Sequence, residues 1–276
     1  MRSLIASLLP VPIVFLAALC EASVITVRTE SKVELAENAV RASVHITNQG
    51  DEPAYSVQVE ARLNETTVVT RVDQRVGAGE SRDAAFELGE PPKPDGVYPV
   101  ILKVYYSDAN GYPFSALSVI PFTVGTSAPP PVVTAGMVPA TITSEGTVSL
   151  VLQVVGRDNA DVRTRLLLPS EIQCDDREQN LLLFPEQSKV VDFRLRNTSA
   201  RPGSRYPVYA VTEYERGGQH QTLICSSLIS IESPPGPLLS RRWVWLAAAG
   251  ALAVVFVLAQ FIGRGRGAEP PPAREA

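Results

Sequence analysis

The sequence is poor in the residues that most often carry chemistry. Its 276 residues include only two His, three Cys, two Met and two Trp. Two histidines are too few for a His-rich metal site, and the chain has no Gly-x-Ser-x-Gly elbow, His-Glu-x-x-His pair or phosphate-binding loop. The net charge of −4 and the pI near 5.4 disfavour nucleic acid, which attracts basic surfaces. We therefore expect no catalytic residue, no cofactor, no metal and no nucleic-acid partner.

What the chain does have is a long apolar run near its C-terminus. Residues 243–262, WVWLAAAGALAVVFVLAQFI, contain no charged side chain. A helix rises about 1.5 Å per residue, so this length spans ~30 Å, the thickness of a bilayer's hydrocarbon core. Arg241 and Arg242 precede the run, and Trp243 and Trp245 lie where an interfacial aromatic belt is expected. The pattern predicts one transmembrane helix, with a juxtamembrane linker at 234–242 and a cytoplasmic tail at 263–276.

The N-terminus is also apolar. Arg2 is followed by a hydrophobic stretch, and Cys20-Glu21-Ala22 then provides small residues at the positions that a signal peptidase recognises. This order is typical of a secretory signal peptide over residues 1–22. An uncleaved anchor and a lipid-modified Cys20 are the alternatives. A cleaved signal would place the bulk of the chain outside the cytoplasm, in the periplasm or at the cell surface, as the ectodomain of a single-pass membrane protein.

Between these ends, apolar and polar residues alternate with the period of half-buried strands. In residues 23–125 the inward sets are Val40, Ala42, Val44 and Ile46, then Tyr55, Val57, Val59, Ala61 and Leu63. A turn at Asp108–Gly111 joins the last two strands into a hairpin, and His45 falls on the exposed face. About seven strands in about 100 residues is the count of an immunoglobulin-like sandwich.

A Pro-rich linker at 126–131 precedes a second alternating segment at 132–233. Its inward sets are Val148, Leu150, Leu152 and Val154, then Val162, Thr164, Leu166 and Leu168, then Val191, Phe193 and Leu195. Tyr98 and Tyr106 in the first segment recur at the same spacing as Tyr206 and Tyr214 in the second. Such order indicates two copies of one unit. The sequence thus predicts an all-β ectodomain of two tandem immunoglobulin-like β-sandwiches.

The order of alternating strand, Asn48-x-Gly50 turn, Gly79-Glu80 and Gly96-x-Tyr98-Pro99-Val100 resembles bacterial and archaeal Ig-like modules. It is similar to the cell-adhesion-related (CARDB) type and to the NPCBM-associated sandwich. The resemblance covers both segments and implies a fold rather than an activity. Such modules are usually spacers, adhesion units or parts of envelope assemblies.

Two groups of side chains are candidate sites. Cys174 and Cys225 are an even pair in an exported segment, which suggests a disulfide closing a loop of about 50 residues and contributing roughly 4 kcal/mol. Two separate buried thiols are the alternative. Tyr105, Tyr106, Tyr112 and Phe114 cluster on one hairpin and could stack on a sugar or anchor a partner. The acidic stretch from Cys174 to Glu178 is interpreted as a solvated loop rather than a cation site.

We therefore expect a membrane-anchored, non-enzymatic protein of the cell envelope with a structural, adhesion or ligand-presenting role. Its partner would be a protein or a polysaccharide. One alternative is an accessory subunit of a membrane-embedded envelope or export complex. The other is an unrecognised carbohydrate-active enzyme, because paired carboxylates converge only in the fold.

Overall fold

The computed structural model describes residues 25–36, 38–125, 130–233, 244 and 246–256. The described chain is predominantly β-strand, arranged in sandwich-like sheets, which confirms the predicted all-β class at that level. It divides into two compact units. The predicted signal peptide, the juxtamembrane linker, the cytoplasmic tail and most of the Pro-rich linker lie outside the described residues.

The first unit contains seven strands: β1 (Val27–Ala36), β2 (Ala39–Asn48), β3 (Ala54–Leu63), β4 (Thr66–Val76), β5 (Ser81–Glu87), β6 (Gly96–Ser107) and β7 (Pro113–Val124). One sheet has the order β1-β2-β5, and the facing sheet has the order β4-β3-β6-β7. All of these pairs are antiparallel.

Alternating side chains from both sheets form one hydrophobic core in this unit. Strand β2 contributes the predicted set, with Val40, Ala42, Val44 and Ile46 each at most 2% exposed. The facing sheet contributes Val59 and Val100, both fully buried. Burial of each such side chain contributes about 1.5–3 kcal/mol, so the alternation decides which face of each strand turns inward.

The prediction for Tyr55 is wrong, because β3 contains a bulge. Against β6, the pairing register of β3 shifts between Tyr55 and Gln58, where three steps along β3 match two along β6, and Ser56 takes a positive φ of 52°. The extra residue reverses the side-chain parity on its N-terminal side. As a result Ala54, not Tyr55, is the buried residue there, while the rest of the predicted set, from Val57 to Leu63, is inward as expected.

The second unit contains β8 to β15 and most of β16. The strands are β8 (Val133–Met137), β9 (Ala140–Ile142), β10 (Glu145–Val154), β11 (Ala160–Leu167), β12 (Ile172–Cys174), β13 (Glu178–Leu183), β14 (Ser188–Asn197), β15 (Arg205–Arg216) and β16 (Gln219–Ile231). One sheet has the order β12-β14-β10-β8 and the other β13-β11-β15-β16, with β9 parallel to the end of β16.

The predicted inward sets of the second unit are confirmed. Every apolar residue predicted to face inward on β10, β11 and β14 is buried in one core cluster, as is Leu168 just after β11. Thr164 of β11 is also buried, although it is polar. Thr164 and Thr212 are fully buried and pair through their hydroxyl groups at 3.0 Å. The two hydroxyls satisfy each other, so the polar pair can lie inside an apolar core.

Residue 244 and residues 246–256 are helical, and we name the latter α1. No helix within the described ranges is both long and apolar enough to cross a membrane. Residues 243, 245 and 257–262 of the predicted transmembrane segment lie outside those ranges.

Asn48 organises the turn that follows β2. Its side chain is fully buried, and its amide donates to the carbonyl oxygens of Glu52 (2.7 Å) and Val76 (3.1 Å). Its Oδ1 accepts the Gly50 N–H at 3.1 Å. One side chain therefore joins the end of β2, the following turn and the end of β4.

We expect Asn48→Ala to lower the free energy of unfolding by about 1–3 kcal/mol, because it leaves three polar backbone groups short of a partner. Urea unfolding of the full chain in detergent measures this. Asn110→Ala is the matched control, because Asn110 is exposed and hydrogen-bonds through its backbone N–H. Equal unfolding midpoints for the two variants would contradict the role of Asn48.

Candidate partner surface

The β6–β7 hairpin presents the predicted aromatic residues. Its ladder runs without interruption from Gly96 opposite Val124 to Ser107 opposite Pro113. At the tip, the Asp108 Oδ1 accepts the backbone N–H groups of Asn110 (2.9 Å) and Tyr112 (2.8 Å). Gly111 supplies the positive φ of 77° that the loop needs. Asp108 therefore acts as a turn residue, which fixes where the aromatic side chains leave the hairpin.

Three of the four predicted aromatic residues are in contact. Tyr106 lies directly opposite Phe114, and their rings stack with centroids 5.6 Å apart. The Tyr112 ring is tilted against Phe114 at 5.2 Å. All three are half-buried, and Tyr106 also packs against the core of the first unit. We call Tyr106, Tyr112 and Phe114 the hairpin aromatic cluster.

Tyr105 lies apart from this cluster, because consecutive residues in a strand point to opposite faces. Its hydroxyl donates to the Glu60 Oε2 at 3.1 Å, and the Lys103 ammonium lies 5.1 Å from its ring centroid. Burial raises the pKa of Tyr105 to about 12, and the nearby Glu60 charge adds to the effect. The predicted four-residue surface is thus divided between two faces of the sheet.

The predicted disulfide is not formed in the structure: Cys174 and Cys225 are both free. Cys174 ends β12, and Cys225 is in β16 of the other sheet. The Cys174 thiol donates to the Asp176 carbonyl oxygen (3.4 Å), while the Cys225 thiol donates to the Ala210 carbonyl oxygen (3.9 Å). Cys174 is a buried member of the core cluster of the second unit, and half-buried Cys225 packs against the same cluster.

Arginine side chains engage the acidic stretch after β12. The Glu178 carboxylate accepts both the Nε (2.6 Å) and the NH2 group (3.0 Å) of Arg163, and Asp175 lies 3.4 Å from Arg196. Hydrogen bonding to Arg163 lowers the pKa of Glu178. Among the described residues, no three His, Cys, Asp or Glu side chains are grouped as metal ligands.

His45 is exposed, as predicted, but it is not isolated. Its Nδ1 lies 2.7 Å from the Asp83 Oδ1 across the β2–β5 pair. This contact is a cross-strand hydrogen bond on the exposed face of the sheet.

The second unit has a surface groove that the sequence analysis did not predict. It has a volume of about 490 Å³ and is lined by side chains that include Met137, Pro139, Arg205, Tyr209 and Leu228. Burial raises the pKa of Tyr209. The lining residues come from four separate strands and connections, so no local motif in the sequence could have marked this groove.

No protein-family model matches the chain, and no curated protein matches it. Among solved structures, it is similar to the native α2-macroglobulin of E. coli (TM-score 0.31, 10% identity, 75% of this chain and 17% of that chain). It is also similar to a Salmonella α2-macroglobulin mutant (TM-score 0.30, 8% identity, 75% and 16%) and to red sea bream transglutaminase (TM-score 0.23, 11% identity, 74% and 32%). The chain spans less than a third of each of these three structures.

The buried thiols predict how stability depends on pH. Burial raises the pKa of Cys225 from 9.0 to about 11 and also raises that of Cys174. As the pH rises, the thiols of the unfolded chain therefore lose their protons before those of the folded chain. The free energy that the buried Cys225 thiol contributes to folding is fully present below pH 9.0 and is lost as the pH rises towards 11. We expect unfolding midpoints to fall over this range, and to fall less steeply in Cys225→Ala. Identical slopes would contradict a buried thiol.

Proposed function

We propose that this chain is a membrane-anchored, non-enzymatic protein of the cell envelope whose two Ig-like sandwiches present a binding surface to a protein or polysaccharide. The observation that carries the proposal is the continuously paired β6–β7 hairpin with its half-buried aromatic cluster. Aromatic side chains are enriched where proteins bind partners, since they offer a large apolar area with a polar tip.

Strand order supports the Ig-like part of the proposal. In the first unit the first, second and fifth strands share a sheet, in the order β1-β2-β5. When the three-residue strands β9 and β12 are left out of the count, the first, second and fifth strands of the second unit also share a sheet, in the order β8-β10-β14. In the first unit, Tyr98 near the start of β6 donates its hydroxyl to the Pro94 carbonyl oxygen at 2.5 Å. A tyrosine that bonds back to the preceding corner is a hallmark of the immunoglobulin fold. Buried Tyr206 is the second residue of β15, the corresponding strand of the second unit.

The exposed side chains of α1 support membrane anchoring. Leu252 is 71% exposed and Phe256 is 66% exposed, although both are large and apolar. In water such a surface would be unfavourable by about 25 cal/mol for each Å² left uncovered, whereas lipid tails would cover it. Together with the apolar run at 243–262 and its flanking Arg and Trp residues, this supports a single-pass anchor.

The state of the reactive groups supports a non-enzymatic role. Because burial raises the pKa of Cys174 and of Cys225, neither is a thiolate nucleophile near neutral pH. The buried Asp108 carboxylate serves its own turn, and the exposed His45 pairs with Asp83. These four side chains thus have structural partners in the described chain.

We expect Tyr112→Ala to reduce capture of the partner about tenfold, because removal of an anchoring aromatic ring costs more than ~1 kcal/mol at a binding surface. In-membrane crosslinking of the tagged full-length protein, followed by quantitative mass spectrometry, measures capture. The matched control is Tyr55→Ala, a half-buried tyrosine outside the cluster. Equal capture by both variants and the parent chain would exclude the cluster as the binding surface.

Exchange of the anchor tests whether the partner binds the sandwiches or the membrane helix. When an unrelated apolar helix replaces residues 243–262, we expect the same partner to be captured with unchanged yield, because the binding surface lies on the sandwich. Membrane fractionation provides the control that the exchanged chain is still anchored. Loss of the partner on helix exchange would instead favour an accessory subunit that contacts a membrane complex through its helix.

A further inference from the structure

Strand β4 is an exposed edge of the first unit. It ends the sheet order β4-β3-β6-β7, and within the described residues it has no sheet partner other than β3. Thr66, Thr67 and Arg71 are exposed, and the side chain of Val69 is 57% exposed. A β-branched edge of this kind offers unpaired backbone groups to another strand.

The register of the β3–β4 hairpin shows which backbone groups are open. Leu63 pairs with Thr66 across the two-residue loop Asn64-Glu65, so this pair is hydrogen-bonded. Hydrogen-bonded pairs then alternate along the ladder, with Ala61–Val68 and Val59–Thr70 following. The N–H and C=O groups of Thr67, Val69 and Arg71 therefore point away from β3.

We infer that β4 pairs with β4 of a second copy of this chain, antiparallel and centred on Val68, to join two four-stranded sheets into one. In this register Thr67 of each copy bonds to Val69 of the other, so outward backbone groups meet outward groups. At both ends, Glu65 of one copy lies beside Arg71 of the other. Opposite charges across a strand pair are favourable by about 0.2–1 kcal/mol each.

Charge and geometry disfavour the neighbouring registers. Centred on Val69, the pairing would place Glu65 beside Asp73, two like charges. Centred on Thr70, it would extend to Asp73 and beyond, past the bulge that interrupts the β3–β4 ladder. Asp73 is moreover bound to Arg82, whose Nε lies 2.6 Å away. Among these three registers, only the Val68-centred one keeps its strand pairing within the straight part of β4 and also brings the loop residue Glu65 beside Arg71 at each end.

The equivalent edge in the second unit is β13, which lacks this complementarity. In an antiparallel pairing of two β13 strands centred on Leu181, Glu178 would lie beside Phe184. Glu178 already forms two hydrogen bonds with Arg163. The Leu166 N–H bonds to the Arg177 carbonyl oxygen, so alternation along the β11–β13 pair points the backbone groups of Leu182 outward. Strand β13 thus supplies a matched control edge.

The first test is Val69→Pro, measured by sedimentation of the full chain in detergent. Proline removes an N–H that no strand within the unit uses, and edge strands tolerate it. We expect the parent chain to form dimers, and Val69→Pro to weaken dimerisation at least tenfold. Leu182→Pro, the same change on the control edge, should leave it unaltered. Val69→Lys replaces Val69→Pro if the urea midpoint shows that the proline variant is unfolded.

The second test is charge reversal, which is specific to two identical strands in this register. Glu65→Lys alone and Arg71→Glu alone should each weaken the dimer about tenfold, because each places like charges at both ends of the pairing. The double variant should recover the parent affinity. A monomeric parent chain, or a dimer indifferent to Val69→Pro and to both reversals, would overturn the inference.

A strand from a different protein is the competing occupant, and the tests separate it from self-pairing. In that case the purified parent chain would be monomeric, and the double charge reversal would not restore capture of the partner from membranes. Either result would refute pairing of two β4 strands. It would leave the proposed ligand-presenting role intact, since that role depends on Tyr112 and the hairpin aromatic cluster.

Discussion

The structure depends on one constraint: each strand must bury alternate side chains between two sheets while its backbone hydrogen bonds are made within them. In the first unit Val44 on β2 and Val100 on β6 meet this constraint from opposite sheets. Everything else is arranged around it. The bulge redirects β3, and the side chains of Asn48 and Asp108 satisfy backbone groups at two of the turns between strands.

Much of this could be predicted because alternation is a local property of the sequence. The inward sets of β2, β10, β11 and β14 follow from a period of two residues, and no tertiary information is needed to read them. Turn chemistry is local as well, since an Asp-x-Asn-Gly stretch such as Asp108–Gly111 carries its own hydrogen-bond acceptor and its own positive-φ residue. Both the inward sets and this turn could therefore be predicted from the sequence alone.

The errors arise where the outcome depends on distant strands. An Ala-Tyr-Ser-Val stretch gives no sign that Ser56 takes a positive φ, so the reversed parity at Tyr55 could not be read. The even number of Cys residues favours a disulfide, but the bond also requires the two thiols to face each other, and here each thiol donates to a different carbonyl oxygen. The separation of Tyr105 from Tyr106 has a local cause instead, because consecutive residues of a strand point to opposite faces.

The edge strands show how the same constraint leads to function. A closed barrel would satisfy every backbone group, whereas an open sandwich leaves the last strand of each sheet half-paired. At β4 the charged residues Asp73 and Arg75 and the nearby bulge protect only the C-terminal part, and the straight part from Thr66 to Arg71 stays open. In the membrane-anchored state that we propose, two copies would be confined to a plane, which raises their effective concentration. Even weak backbone pairing between two β4 edges would then contribute to assembly. The aromatic cluster lies at the tip of the β6–β7 hairpin, away from β4, so partner binding and the proposed assembly use different parts of the first unit.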